Sequence, residues 1–178
     1  MQSIKATVEK KLAAMLARNP LRADFQRRYE EIVATYNSEK DRQTIEQTFE
    51  ALLKFIEELS GEEERAVREG LDEESLAIYD LLKKPALSKA ETGKVKAVAK
   101  SLLDKLKAGK LSVDHWREKQ TTRDGVRKAI FDFLFAETTG LPSAYSEGEI
   151  GERTDAVYRH VYEVYPIVPS PYYGRRSA

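Results

Sequence analysis

The feature that most constrains this chain is the recurrence of apolar residues at intervals of three and four, in segment after segment. Such spacing places side chains on one face of an α-helix, whereas a half-buried strand needs alternation at every second residue. No run alternates with period two for long enough to predict a strand. The predicted fold class is therefore all-α, a multi-helix bundle of about seven or eight helices with an extended C-terminal tail. Two stripes show the pattern most clearly: Leu21, Phe25, Tyr29, Ile32, Val33 and Tyr36, then Ile45, Phe49, Leu52, Leu53, Ile56 and Leu59.

Several helix ends can be predicted from cap residues. Ser60 with Glu63, and Ser88 with Glu91, have the spacing of a capping box, and Gly70 is placed to end a short helix. Further helices are expected over residues 72–83, 121–138 and 147–165, with a brief one over 114–116.

Two more boundaries are predicted near the N-terminus. Pro20 suits the first helical position behind an Asn19 cap, and the following helix should begin near Asp41.

Length and composition limit the class of protein. The 178 residues fit one domain, although two lobes remain possible, and we predict a helical domain over 1–165 with an extended or flexible tail over 166–178. A hydrophobic fraction of 41%, a charged fraction of 34% and a mean hydropathy of -0.57 exclude a membrane protein. Cysteine is absent, and the first residues lack the apolar run of a signal peptide, so a cytoplasmic location is expected.

Charge is balanced in sum but uneven along the chain. The formal net charge is zero, yet acidic residues dominate from Glu39 to Asp80 and basic residues from Lys89 to Lys128. These runs could pair between helices or present two faces to different partners. We favour the simpler interpretation that they are solvated helix faces, since exposed charges mostly confer solubility.

No residue pattern predicts catalysis. His115 and His160 are far apart, and neither has a second ligand at the spacing of a metal pair on one helical turn. The carboxylate clusters stand in the first turns of predicted helices, where negative charge interacts favourably with the helix dipole. No glycine-rich turn joins a strand to a helix, so the usual phosphate cradles are excluded. We therefore predict no catalytic residue, no metal ligand and no cofactor in this chain.

The segment from Trp116 to Lys128 is the best candidate for a contact surface. Its arginines and lysines lie opposite an apolar helix face, and could bind nucleic-acid phosphates or pair with the acidic helices over 39–80, which we favour. The helix end FDFLFA is apolar almost all round, so it is either central in the bundle or covered by a partner. The candidate residues are Trp116, Arg117, Lys119, Arg123, Arg127 and Lys128.

The order of five segments carries a family resemblance. These are NPLRADFQRRYEEIVATYN, EEERAVREGLDEESLAIYDLL, KVKAVAKSLLDKLK, WREKQTTRDGVRKAIFDFLF and DAVYRHVYEVY. Their succession resembles the C-terminal helical region of the restriction (R, or HsdR) subunit of type I restriction-modification enzymes, from about Asn19 to Tyr165. One departure is FDFLFAETTGLP, where the family has a more acidic helix end.

The resemblance implies a non-catalytic role in a larger enzyme. In that family the subunit also has a nuclease domain and two motor domains that use ATP and Mg²⁺ to translocate DNA, and no residue here matches their catalytic motifs. The implied role is packing on the motor domains and assembly with the modification and specificity subunits. A module that contacts the DNA backbone, and an independent helical adaptor, are the alternatives.

Overall fold

The computed structural model describes residues 2–19, 22–38 and 42–173, and all regular secondary structure in these ranges is helical, as predicted. The chain divides into two compact units, Met1–Gly70 and Leu71–Ala178. The prediction of one domain over residues 1–165 stays a prediction. In chain order the α-helices are α1 (Gln2–Arg18), α2 (Ala23–Ser38), α3 (Arg42–Glu63), α4 (Arg65–Glu69), α5 (Glu73–Leu82), α6 (Lys89–Ala108), α7 (Gln120–Phe135) and α8 (Glu147–Val164), with a short 3-10 helix (Lys110–Ser112) before α7.

The first unit is built from α1 to α4 around one apolar cluster. Rings from two helices meet in it, since Tyr29 of α2 stacks on Phe55 of α3 with centroids 6.3 Å apart. The hydroxyl of Tyr29 also donates to Glu9 at 2.8 Å, which links α2 to α1. The predicted stripe of α2 therefore packs on this cluster, and part of the predicted α3 stripe does so, whereas the buried Phe55 was outside that stripe. The buried members are Val8, Leu12, Met15, Tyr29, Leu52, Phe55 and Leu59.

One row of the predicted α3 stripe is not buried. Ile45, Phe49 and Leu53 are 36%, 40% and 44% exposed, whereas Leu52 and Phe55 are fully covered. The stripe is wider than the face that the other helices of this unit cover, so its outer edge stays in contact with solvent.

Two predicted boundaries in this unit have different outcomes. The capping box at Ser60 is wrong, because α3 continues to Glu63 and the Ser60 hydroxyl donates to the Ile56 carbonyl at 2.9 Å. Gly70 does end α4, with a φ of 69° that glycine adopts without strain. The predictions that rest on Pro20, Leu21 and Asp41 lie outside the described residues.

The second unit packs α5 to α8 around the only Trp. The Trp116 side chain is fully buried, and its indole Nε1 donates to the backbone carbonyl of Tyr165 at 2.8 Å. The surrounding core comes from every helix of the unit. It includes Leu76, Ile78, Leu82, Val95, Val98, Leu102, Leu103, Leu106, Val126, Ile130, Leu134, Val157 and Val161.

Side-chain caps fix three helix starts in this unit. Asp72 accepts from the Ser75 amide at the start of α5, and Ser88 forms the predicted capping box with Glu91 at the start of α6. A second box, between Ser146 and Glu149, begins α8 and was not predicted. Its carboxylate also binds Lys84 at 2.7 Å.

The chain on either side of α7 departs from two predictions. The brief helix over 114–116 is wrong, because these residues form turns in which His115 has a φ of 54°. The helix predicted to reach residue 138 ends at Phe135, and the Gly140 amide then donates back to the Ala136 carbonyl at 2.8 Å. A Cβ on Gly140 would stand 2.4 Å from that carbonyl oxygen, so the turn requires glycine.

Part of the C-terminal segment is also described. The Tyr173 ring lies 5.9 Å from that of Tyr165, and its hydroxyl is 3.0 Å from Nε2 of His160. The Ser170 hydroxyl donates to the Val164 carbonyl. Ser170 and Tyr173 therefore contact the C-terminal part of α8 and the residue that follows it, within the segment that was predicted to be extended or flexible.

Candidate interaction surface

Of the predicted surface residues, Trp116 lies in the core. Beyond its hydrogen bond to Tyr165, its ring forms a T-shaped pair with that of Tyr162, with centroids 5.9 Å apart and an interplanar angle of 88°. The turn over 113–119 is thus anchored on α8 by a large buried ring. The contribution of Trp116 to any surface is to hold the neighbouring arginines in place.

Arg117 and Arg123 hold the backbone. The Arg117 guanidinium donates to the Tyr162 carbonyl at 2.9 Å and lies 5.4 Å from the centre of the Tyr162 ring. Arg123 donates to the carbonyls of Arg117 and Glu118 at 2.7 and 3.0 Å. Both side chains therefore fix the turn before α7 onto the helices beside it.

The other predicted cations are exposed. Arg127 makes two contacts with one oxygen of Asp155 on α8, through Nε at 2.7 Å and Nη2 at 2.6 Å. Lys128 pairs with Asp132 one turn later on α7, at 2.7 Å. Lys119 is the residue that precedes α7, and its side chain is exposed. Exposed pairs of this kind stabilise the fold little.

The favoured pairing with the acidic segment over 39–80 is wrong for Arg127 and Lys128. Their carboxylate partners, Asp155 and Asp132, come from α8 and α7 instead. Among the basic residues from Lys89 to Lys128, Lys107 does pair with that segment, through Glu74 at 2.8 Å.

Two tyrosines of α8 complete the surface. Tyr158 and Tyr162 stand one turn apart with ring centres at 6.2 Å, and Tyr162 is 38% exposed. Burial raises the pKa of Tyr158, while the nearby charge of Arg123 opposes that rise. The signal in the sequence was the spacing of four between these tyrosines, next to an arginine at position 159.

These side chains enclose a shallow depression between α7 and α8. Its volume is about 380 Å³. Arg127 and Arg159 contribute cations to it and Asp155 a carboxylate, so its charge is mixed. We call it the α7–α8 surface, and its residues are Arg117, Arg127, Asp155, Tyr158, Arg159 and Tyr162.

A second aromatic feature lies on the outer side of α7. Phe131 and Phe135 stack with centroids 5.5 Å apart, and Phe135 is 51% exposed. Asp124, Arg127 and Lys128 border the same region. The FDFLFA segment is therefore half core and half surface, because Phe133 and Leu134 point inward while Phe135 does not.

The two histidines differ in burial. Nδ1 of His115 lies 2.7 Å from a Glu118 oxygen on the exposed side of the turn. His160 is buried, and burial lowers its pKa to about 4. In the ranges that the structure describes, no three His, Asp or Glu side chains come together as metal ligands, and no helix is long and apolar enough to span a membrane.

Comparison with protein families gives a match over most of the chain. Residues 1–159 match the family described as "Type I restriction enzyme HindI endonuclease subunit-like, C-terminal". The chain belongs to this family. The C-terminal domain of a type I restriction endonuclease subunit is therefore what the chain represents, as the resemblance implied. Comparisons with curated proteins and with solved structures found no match.

For this C-terminal domain, the arrangement of side chains defines what chemistry is available. The α7–α8 surface has a carboxylate, guanidinium groups and phenols. The Arg117 guanidinium contacts a backbone carbonyl and a tyrosine ring, and the Arg127 guanidinium contacts a carboxylate. Such groups recognise a partner by hydrogen bonds and stacking.

Proposed function

We propose that this domain is the non-catalytic part of a type I restriction endonuclease subunit that packs on the motor domains and joins them to the modification and specificity subunits. Family membership supports the setting. The observation that carries the role is the α7–α8 surface, in which arginine and tyrosine side chains are exposed yet held by their neighbours. In the cytoplasm, where the parent enzyme would act, this surface would contact protein.

Residue types support a protein partner. Tyrosine, tryptophan and arginine are enriched among the residues that contribute most to protein interfaces. Tyr162 forms a T-shaped pair with Trp116 and lies under the guanidinium of Arg117, so little conformational freedom is left to lose on binding. A surface that is ordered before binding loses less entropy when it docks.

The charges favour protein over the DNA backbone. A DNA-binding surface needs cations that are available to phosphates. Arg117 and Arg123 donate to backbone carbonyls, and Arg127 is bound to the Asp155 carboxylate at 2.6 Å. A phosphate would have to displace the carboxylate from Arg127 and would meet its negative charge.

The experiment mixes the purified chain with assembled modification and specificity subunits and measures complex formation by size-exclusion chromatography. We expect co-elution, with affinity at least about tenfold weaker for Arg159→Glu, the loss of one strong arginine contact. Lys100→Glu is the matched control, since it reverses an exposed lysine on α6. Failure to co-elute, or equal losses for both variants, would contradict the proposal.

A second arm tests the DNA alternative on the same variants. Duplex affinity that falls steeply with salt and is reduced by Lys119→Glu and Arg159→Glu, without binding to the other subunits, would replace the protein role by DNA contact. Arg123→Glu is unsuitable because it would remove two hydrogen bonds that hold the turn. Metal-dependent DNA cleavage by the purified chain would overturn the non-catalytic assignment.

A further inference from the structure

A second concave site lies away from the α7–α8 surface, between the end of α6, the 3-10 helix and α7. Its volume is about 350 Å³. The floor is apolar, because Leu102 and Leu106 are buried core residues whose outer atoms face it. We call it the α6–α7 groove, and its lining residues are Leu102, Lys105, Leu106, Gly109, Lys110, Val113 and Ala129.

Local sequence explains why the groove is open. α6 ends at Ala108, and the chain turns through Gly109 into the 3-10 helix, so no long side chain stands at the corner. On α7, Ala129 presents only a methyl group to the groove. Val113 forms the far wall and is 46% exposed, an apolar side chain that its neighbours leave uncovered.

The rim of the groove is basic. The ammonium group of Lys105 lies 5.3 Å from the centre of the Phe133 ring, and Lys110 extends from the 3-10 helix. Neither lysine has a carboxylate partner within the described parts of the chain. By contrast, Lys107 pairs with Glu74 at 2.8 Å. Two cations beside an apolar floor favour an occupant that is apolar at its centre and acidic at its edges.

We infer that the α6–α7 groove binds an extended segment of a partner protein, with one branched apolar side chain on the floor and carboxylates beside it paired with Lys105 and Lys110. The inference rests on the proposed function as a protein-docking domain. The groove has the volume of a small ligand pocket and is too small to seat a helix along its length. The occupant therefore enters by a side chain rather than by a helix face.

The absence of cysteine permits a direct test. Because the chain has no Cys, Val113→Cys gives a single thiol on the groove wall. This variant is equilibrated, in the presence of a small free thiol, with three peptides whose cysteine is supplied as a disulfide with that thiol, so that the protein thiolate displaces the small thiol. The peptides are Glu-Leu-Glu-Cys, Glu-Ser-Glu-Cys and Lys-Leu-Lys-Cys. Mass spectrometry then measures how much of each forms a mixed disulfide. The matched control is Val67→Cys on α4, where the native side chain is 83% exposed.

At Val113→Cys we expect Glu-Leu-Glu-Cys to be captured at least about fivefold more than either other peptide, from two rim ion pairs and one buried side chain. Adding Lys105→Glu and Lys110→Glu should transfer the preference to Lys-Leu-Lys-Cys. Equal capture of the three peptides, the same preference at Val67→Cys, or preference for charge without any for leucine would overturn the inference.

The outcome can be separated from that of the proposed function. Selective capture at Val113→Cys, together with failure of the wild-type chain to bind the modification and specificity subunits, would retain the groove and remove the assembly role. Assembly that proceeds normally together with unselective capture would retain the role and remove the groove.

Discussion

The two compact units differ in how their exposed apolar side chains are held. In the first unit, Ile45, Phe49 and Leu53 form a row along α3. In the second unit, Tyr162 contacts the Trp116 ring and the Arg117 guanidinium, and Val113 lies at the wall of the α6–α7 groove. The exposed row on α3 offers a partner apolar area on a convex helix surface. The exposed side chains of the second unit are fixed by their neighbours and lie beside a depression, so they offer both area and a shape that a partner can complement. This difference is why we locate recognition on the second unit.

The helix starts also differ, in whether a side chain caps the first turn. α5, α6 and α8 each begin at a side chain that accepts a backbone amide hydrogen bond. α4 begins after Glu64, whose side chain makes no such bond. α7 in the second unit begins after Lys119 without such a bond, so the contrast lies between capped and uncapped helix starts, and matched variants at the two kinds of start can test what a cap contributes.

The largest expected effect is in the core of the first unit. Phe55→Ala should lower the free energy of unfolding of that unit by about 3–5 kcal/mol, because it leaves a cavity beneath the Tyr29 ring. Phe49→Ala, on the exposed row of the same helix, should cost less than about 1 kcal/mol. Amide hydrogen exchange of α3 measures both. Similar losses would show that the exposed row is covered in solution.

The next effect concerns His160 in the second unit. Burial lowers its pKa to about 4 from the ordinary 6.5, so between these values the unfolded chain binds a proton that the folded chain does not. Stability should therefore fall as pH decreases through this window, by up to about 3 kcal/mol. His160→Gln should remove this part of the pH dependence.

The fluorescence of the only Trp, which is buried in the same unit, reports unfolding at each pH. Carboxylates that titrate in the same range affect both proteins, so the quantity to compare is the difference between wild type and variant. A difference that stays constant from pH 7 to about 4 would mean that His160 is not protected from protonation.

A smaller effect should distinguish the helix starts. Ser146→Ala removes the acceptor for the Glu149 amide and should destabilise the second unit by about 1 kcal/mol. Glu64→Ala before α4 should change the stability of the first unit by less than about 0.5 kcal/mol, since no cap bond is lost. Denaturant unfolding followed by circular dichroism measures both. Equal losses of stability for the two variants would remove the contrast between capped and uncapped helix starts.

The fold was predictable to the extent that it is written in local sequence. The stripes of α2 and α3, the box at Ser88 and the stop at Gly70 depend on residues within a few positions of one another. The capping-box prediction at Ser60 was wrong because its hydroxyl donates instead to the carbonyl of Ile56 in the preceding turn. The end of α7 misled because the return through Gly140 is decided by close contact with Ala136.

Two of the six residues on the α7–α8 surface, Arg117 and Arg127, were among the residues predicted from the sequence, and their partners were not. Arg127 was identified from its place on a basic helix, yet Asp155 stands on another helix and no spacing rule connects the two. Tyr162 was not among the predicted contact residues, and it is 38% exposed although the preceding Val161 is fully buried. Whether a residue at the edge of the apolar face of a helix is exposed depends on how far the neighbouring helices extend over that face.

The division into two units gives the single-domain prediction its test. If residues 1–165 unfold as one domain, thermal unfolding followed by Trp116 fluorescence and by far-ultraviolet circular dichroism should give coincident transitions. Trp116 lies in the second unit, so a fluorescence midpoint separate from the dichroism midpoint would contradict the prediction.

The central claim is that the α7–α8 surface docks protein, and one affinity measurement tests it most directly. The dissociation constant of the chain for the assembled modification and specificity subunits is compared for Tyr162→Ala and Tyr172→Ala, two exposed tyrosines of which only Tyr162 lies on this surface. We predict at least about tenfold weaker binding for Tyr162→Ala and no change for Tyr172→Ala. Unchanged affinity for the folded Tyr162→Ala protein would contradict the account.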